Sequence, residues 1–142
     1  MTLTLDQARK AVATALAKGA ELGLKPLTVA VLDAGGALVA LERSDGASRM
    51  RPDIAIGKAN GAIALGMGSR AIFKRAEEQP FFIQAMNALA GGVLVPVPGG
   101  VLIRDAGGAI LGAVGITGDT SDNDETCAVA GIEACGFTAD CG

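Results

Sequence analysis

The sequence predicts an α+β fold: a central antiparallel sheet of about five strands with helices packed against it. Three observations lead there. Two strand-like runs flank Asp33-Ala34-Gly35-Gly36, and two more flank a second copy of that tetrapeptide at Asp105-Ala106-Gly107-Gly108. Each reads as a β-hairpin whose glycines supply positive φ. Three helical segments follow one another between the hairpins. The order is then one helix, two strands, three helices, three strands and one helix, with too few crossovers for a doubly wound sheet. The 142 residues, 1–142, are expected to form one domain.

The first helix opens at Thr4, where Thr4-x-x-Gln7 fits a capping box. Leu5, Ala8, Val12, Ala15, Leu16 and Leu22 recur at helical spacing, and Gly23 ends it. Residues 27–32 and 37–43 form the first hairpin, and residues 44–52 a polar loop. Pro52 suits the first turn of a second helix running to about Met67, with Ala55, Ala59, Ala62 and Gly66 on one small face and Gly66 and Gly68 ending it. Ser69 is expected to cap a third helix to about Glu78, and Pro80 to start a fourth to about Leu89. Residues 91–100 read as a short edge strand, because Pro96 and Pro98 have no N–H to donate. Residues 101–104 and 109–117 complete the second hairpin. The last helix starts within the acidic run at 119–125 and ends near Cys135. It is apolar nearly all round, which predicts burial on more than one side and suggests a homo-oligomer.

Composition excludes several kinds of chemistry. There is no His, so no Ser-His-Asp triad, no Cys-His dyad, no HExxH zinc site and no proximal-His haem. With a net charge of −3 and aromatics at 3%, nucleic acid is not an expected partner. Cys127, Cys135 and Cys141 contain no CxxC pair, so neither a disulfide framework nor a zinc site is read. The run 91–103 is broken by prolines and glycines and does not read as a membrane span. With no signal-peptide pattern at the N-terminus, a cytoplasmic location is expected.

Lys58 is the most informative residue. It lies at the edge of the small-residue stripe of the second helix, with Arg51 two turns earlier on the same side. One reading is a stem that snorkels to water. The other is a cationic floor for an anion, or a lysine of lowered pKa acting as base or nucleophile. Arg43 and Asp45 read either as a structural pair or as part of a carboxylate clamp. Arg43, Arg51 and Lys58 enclose one loop. The expectation is that Arg43 and Lys58 share a cavity walled by residues 44–52 and the Gly99-Gly100 turn, with Asp45 the internal partner of Lys58 when no ligand is bound. Asp119, Asp122, Asp124 and Glu125 lack EF-hand spacing and read as residues capping a helix start, so no metal site is expected.

VAVLDAGGALVALERSDGA, the helix around IGKANGAIA, and VPVPGGVLIRDAGGAILGAVGITGDTSDNDE together resemble the GlcG/HbpS-like family over about residues 3–140. The resemblance implies a single α+β domain of profilin-like layout, assembled into dimers or larger oligomers up to octamers. It also implies haem or other tetrapyrrole binding for some members. Without His or Tyr, an iron ligand here would come from Cys, from Met50, Met67 or Met86, or from a weak oxygen or amine donor. Three functions remain open. The first is a binding protein for haem, another tetrapyrrole or a small organic anion, with a site of Arg43, Asp45, Arg51, Lys58, Gly99 and Gly100. The second is a cofactor-independent deaminase, tautomerase or lyase acting on a small carboxylate through Lys58. The third is a non-catalytic accessory subunit.

Overall fold

The computed structural model describes residues 1–142. The capping box at Thr4 and Gln7 opens α1 (Leu5–Glu21) as the sequence predicts. β1 (Thr28–Asp33) and β2 (Leu38–Arg43) form the first hairpin. Asp33 Oδ1 accepts the N–H groups of Gly35 and Ala37 and sets its turn. Then come α2 (Arg51–Leu65), α3 (Ser69–Glu78) and α4 (Pro80–Leu89). β3 (Gly100–Arg104) and β4 (Ile110–Thr117) form the second hairpin, and Asp105 Oδ1 repeats the turn contact on Ala109 N–H. The chain closes with α5 (Ser121–Ala134) and β5 (Thr138–Asp140).

The five strands form one antiparallel sheet in the order β2-β1-β4-β3-β5. The count matches expectation, but one strand differs. Residues 91–99 form no strand. With no N–H at Pro96 and Pro98, this stretch cannot ladder, and it hooks onto α2 instead. Val95 N–H donates to Gly57 O at 3.1 Å, and Asn60 Nδ2 to Val93 O at 2.8 Å. The fifth strand is β5, three residues paired with β3 and too short to show a period.

Side chains alternate across the sheet. Val29, Val31, Val101, Ile103, Val114 and Ile116 pack with α1 and α5, whereas Leu32, Leu102 and Ala113 pack with α2. Beyond α2, Ile72, Ile83 and Leu94 form a smaller cluster joining α3 and α4. Two apolar surfaces therefore cover α5, both from this chain: α1, whose Ala11 carbonyl lies against Gly131, and the sheet. Val129 and Ala130, on the remaining side, stay half-buried. No helix is long and apolar enough to cross a membrane.

Two local expectations change. Gly68, not Ser69, is the N-cap of α3, and the buried Ser69 Oγ accepts the N–H of Gly100 at 2.7 Å. Gly66 lies outside the packed face of α2. It does end the helix, as the sequence predicts, at φ 68°, a conformation open to glycine.

Candidate functional site

The site begins with glycines. A Cβ at Gly115 would collide with Ala55 O of α2, and one at Gly100 with Lys58 O. Their bare backbones let α2 lie directly on β3 and β4, too close for the Lys58 stem to escape to water. Its side chain runs inward past Gly99, whose φ is +119°. Lys58 is 2% exposed, and Nζ donates to Ile116 O at 2.8 Å and to Asp124 Oδ2 at 3.2 Å. Asp124, 1% exposed, accepts the N–H of Asp119 on its other oxygen at 3.0 Å.

Lys58 is thus neither a snorkelling stem nor a partner of Asp45. It is half of a buried ion pair with Asp124, at 3.2 Å. Burial lowers the Lys58 pKa, Asp124 opposes that shift, and Arg51 adds a smaller push in the direction of burial. Burial likewise raises the Asp124 pKa against the pull of Lys58. Desolvation therefore outweighs attraction for both groups, as expected for a dry pair.

Arg51 lies two turns earlier on α2 in different surroundings. Its Nη1 donates to Thr117 Oγ1 at 2.7 Å, and none of the ion pairs involves it. It lines an open cavity of about 210 Å³ with Lys25, Ser48, Ala47, Gly46 and Gly118. That lining holds two cations and no carboxylate.

The structure brings Lys58, Gly99 and Gly100 together and sets Arg51 beside them. Arg43 and Asp45 are elsewhere. Both are exposed, they form no ion pair, and Arg43 Nη1 donates to Ala47 O at 2.7 Å. Arg43 and Lys58 therefore share no cavity: one holds the loop from the solvent side, and the other is drawn down to β4 by the glycine contacts. Sequence reasoning missed Asp124, Thr117, Lys25 and Ser48. The one available signal was a lysine on a small-residue face, which needs an acid; four lay within 119–125 and spacing did not choose among them.

The acidic run does not act as a unit. Thr120 caps α5 through Asn123 N–H. Asp119 accepts from Lys25 N–H, Thr120 N–H and Asn123 Nδ2, and Asn123 above all pulls its pKa down to about 2. Glu125 and Asp122 bind Arg70. Every carboxylate of the run is engaged within the protein, Asp122 and Glu125 sharing Arg70, and no group of three His, Cys, Asp or Glu side chains converges.

The sulfur atoms are scattered. Cys127 is sealed in the main core, and its pKa is pushed up by burial to about 11. Cys135 Sγ donates to Gln7 O at 3.3 Å, and burial pushes Cys141 up to about 11. Met67 and Met86 pack against the α3–α4 cluster, and Met50 is 56% exposed just before Arg51.

Comparison with known proteins agrees with this architecture. A relative from Citrobacter freundii, an uncharacterised 15.0 kDa protein in the dhaT-dhaS intergenic region, is 30% identical over 132 residues, covering 93% of this chain and 91% of the relative. The crystal structure of a PduOC–haem complex has the same fold, with a TM-score of 0.86 at 22% identity over 96% of this chain and 97% of the other. A double mutant of HbpS from Streptomyces reticuli superposes with a TM-score of 0.78 at 28% identity, over 94% and 86% of the two chains. The family model described as haem degrading protein HbpS-like matches residues 3–133, and the chain belongs to that family.

Proposed function

We propose that the protein binds a carboxylate-bearing ligand, a tetrapyrrole such as haem or a small organic anion, and that Arg51 meets the carboxylate. One observation carries this reading: Arg51 has no acidic partner and opens, with Lys25, onto a cavity lined by no carboxylate. A guanidinium fixed on one edge by Thr117 keeps its other donors for an anion, and its planar fork suits a carboxylate. The family and its haem-complex relative favour a tetrapyrrole, whose propionates supply such groups. The cavity volume of about 210 Å³ suits the carboxylate end of that ligand, or a whole small acid.

The other predicted residues support this cavity at one remove. Arg43 holds the loop through Ala47 O. Gly99 and Gly100 admit Lys58, whose bond to Ile116 O fixes the strand end next to Thr117. A catalytic role for Lys58 as base or nucleophile is less well supported, because both bonds of its Nζ are internal and the side chain is sealed. An iron-ligating haem site does not fit the Arg51 cavity: there is no His or Tyr, and neither a cysteine nor a methionine lines it.

Calorimetric titration with haem and with succinate, on the parent and on Arg51→Met, tests the reading. Loss of one charged hydrogen bond, about 1.5–3 kcal/mol, should weaken binding roughly ten- to hundredfold. Arg43→Met should weaken it less, by loosening the loop alone. If Arg51→Met binds both ligands as the parent does, or the parent binds neither, the reading fails.

A further inference from the structure

We infer that this protein recognises a tetrapyrrole by its carboxylates and not by the metal at its centre, so that metal-free protoporphyrin binds as haem does. The inference rests on the role of Arg51 argued above and adds what that role leaves open, the basis on which ligands are told apart.

A metal raises affinity only if the protein offers it a donor that the metal-free ring does not use; selectivity is that difference of affinities. The chain has no imidazole and no phenol. A thiol ligates as thiolate. Cys127 is enclosed by Val12, Leu27 and their neighbours in the core, and Cys135 points its S–H at Gln7 O between α1 and α5. Cys141 is half-buried, and its carbonyl is tied to Arg70 N–H at the start of α3. None of the three lines a cavity. Burial also holds all three thiols above their ordinary pKa, away from the ligating form.

The Arg51 cavity offers one hydroxyl, Ser48, one ammonium, Lys25, and backbone. These are hydrogen-bonding groups for a carboxylate and poor donors for iron. The one sulfur in the same loop is Met50, a neutral thioether that is exposed and lines none of the cavities. With Arg51 and Lys25 taking the propionates, haem and the metal-free ring present the same groups to the same partners.

The test measures dissociation constants for haem and for metal-free protoporphyrin IX, with succinate as a third ligand, on the parent, Met50→Leu and Arg51→Met. The two porphyrins should bind within about threefold of each other, a difference of about 0.7 kcal/mol at most. Met50→Leu should leave both unchanged, and Arg51→Met should weaken both by the same factor. Haem binding more than about tenfold tighter than the metal-free ring, or a loss of haem binding alone in Met50→Leu, overturns the inference and shows a metal ligand. In that case the role of Arg51 stands if Arg51→Met still weakens both porphyrins. Binding of succinate without either porphyrin also overturns the inference and leaves the anion site intact. Failure of all three ligands to bind overturns the anion site itself.

Discussion

Arg51 and Lys58 lie two turns apart on one helix, and the protein surrounds them in opposite ways. Lys58 is enclosed, with both of its bonds internal and a carboxylate within 3.2 Å. Arg51 touches one hydroxyl and otherwise opens onto a cavity. The difference comes from what α2 faces at each level. At Lys58 it meets Gly99 and Gly100, which have no side chains and bring the helix down onto the sheet. At Arg51 it meets the end of β4, where Thr117 and Gly118 lead the chain away and leave a gap walled by Lys25 and Ser48. A cation buried with a partner fixes structure, and a cation left open without one is available to a ligand.

The largest expected effect separates the two directly. Lys58→Met leaves Asp124 buried without its cation and should cost about 3–5 kcal/mol. Arg51→Met strands no buried charge but leaves the buried Thr117 hydroxyl without its donor, and should cost less, about 1–3 kcal/mol. Urea unfolding measures both. Adding Asp124→Leu to Lys58→Met removes the stranded carboxylate, so the double variant should be more stable than Lys58→Met alone. Costs that simply add would mean that the two charges act independently and that enclosure does not define this region.

A smaller effect probes the cause of the enclosure. Gly100→Ala places a methyl against the Lys58 carbonyl and forces α2 away from β3. The expected cost is about 1–3 kcal/mol. Lys58 amide protection in hydrogen exchange should fall with it. A variant that melts like the parent would show that α2 tolerates a wider spacing and that close approach does not seal Lys58.

Much of the fold could be read from the sequence, because the signals are local. The Thr4–Gln7 box, the two Asp-Ala-Gly-Gly turns and the glycine stops each act within a few residues, and each appears where expected. β5 was missed because three residues carry no period, and 91–99 was misread because an apolar run with prolines resembles an edge strand. The site was less legible for one physical reason: its contacts are long-range. The acid for Lys58 lies 66 residues away, the hydroxyl for Arg51 also 66, and the acceptor for Gly100 N–H is 31 residues back. The sequence marks Lys58 and Arg51 as charges in need of an explanation, but it draws them as equals. Which one is sealed depends on the glycines of another strand.

The smallest effect lies on the seam between the two regions. Asp119 joins them: its N–H donates to Asp124 on the enclosed side, and its carboxylate accepts the N–H of Lys25 on the open side. Asn123 first, then the N–H groups of Lys25 and Thr120, pull its pKa down to about 2 from the usual 3.8. A folded-state pKa below the unfolded one means that the unfolded chain binds the proton first as pH falls. The stabilisation is therefore fully present above about pH 4 and fades as pH drops through about 2. A carboxyl NMR titration of the folded protein should give Asp119 a midpoint near 2. Asp119→Asn should remove the part of the acid sensitivity that falls in that interval. A midpoint near the ordinary value would mean that the carboxylate does not hold Lys25 in place. The open cavity would then lack the tie that fixes one of its two cations, and the contrast would rest on Arg51 alone.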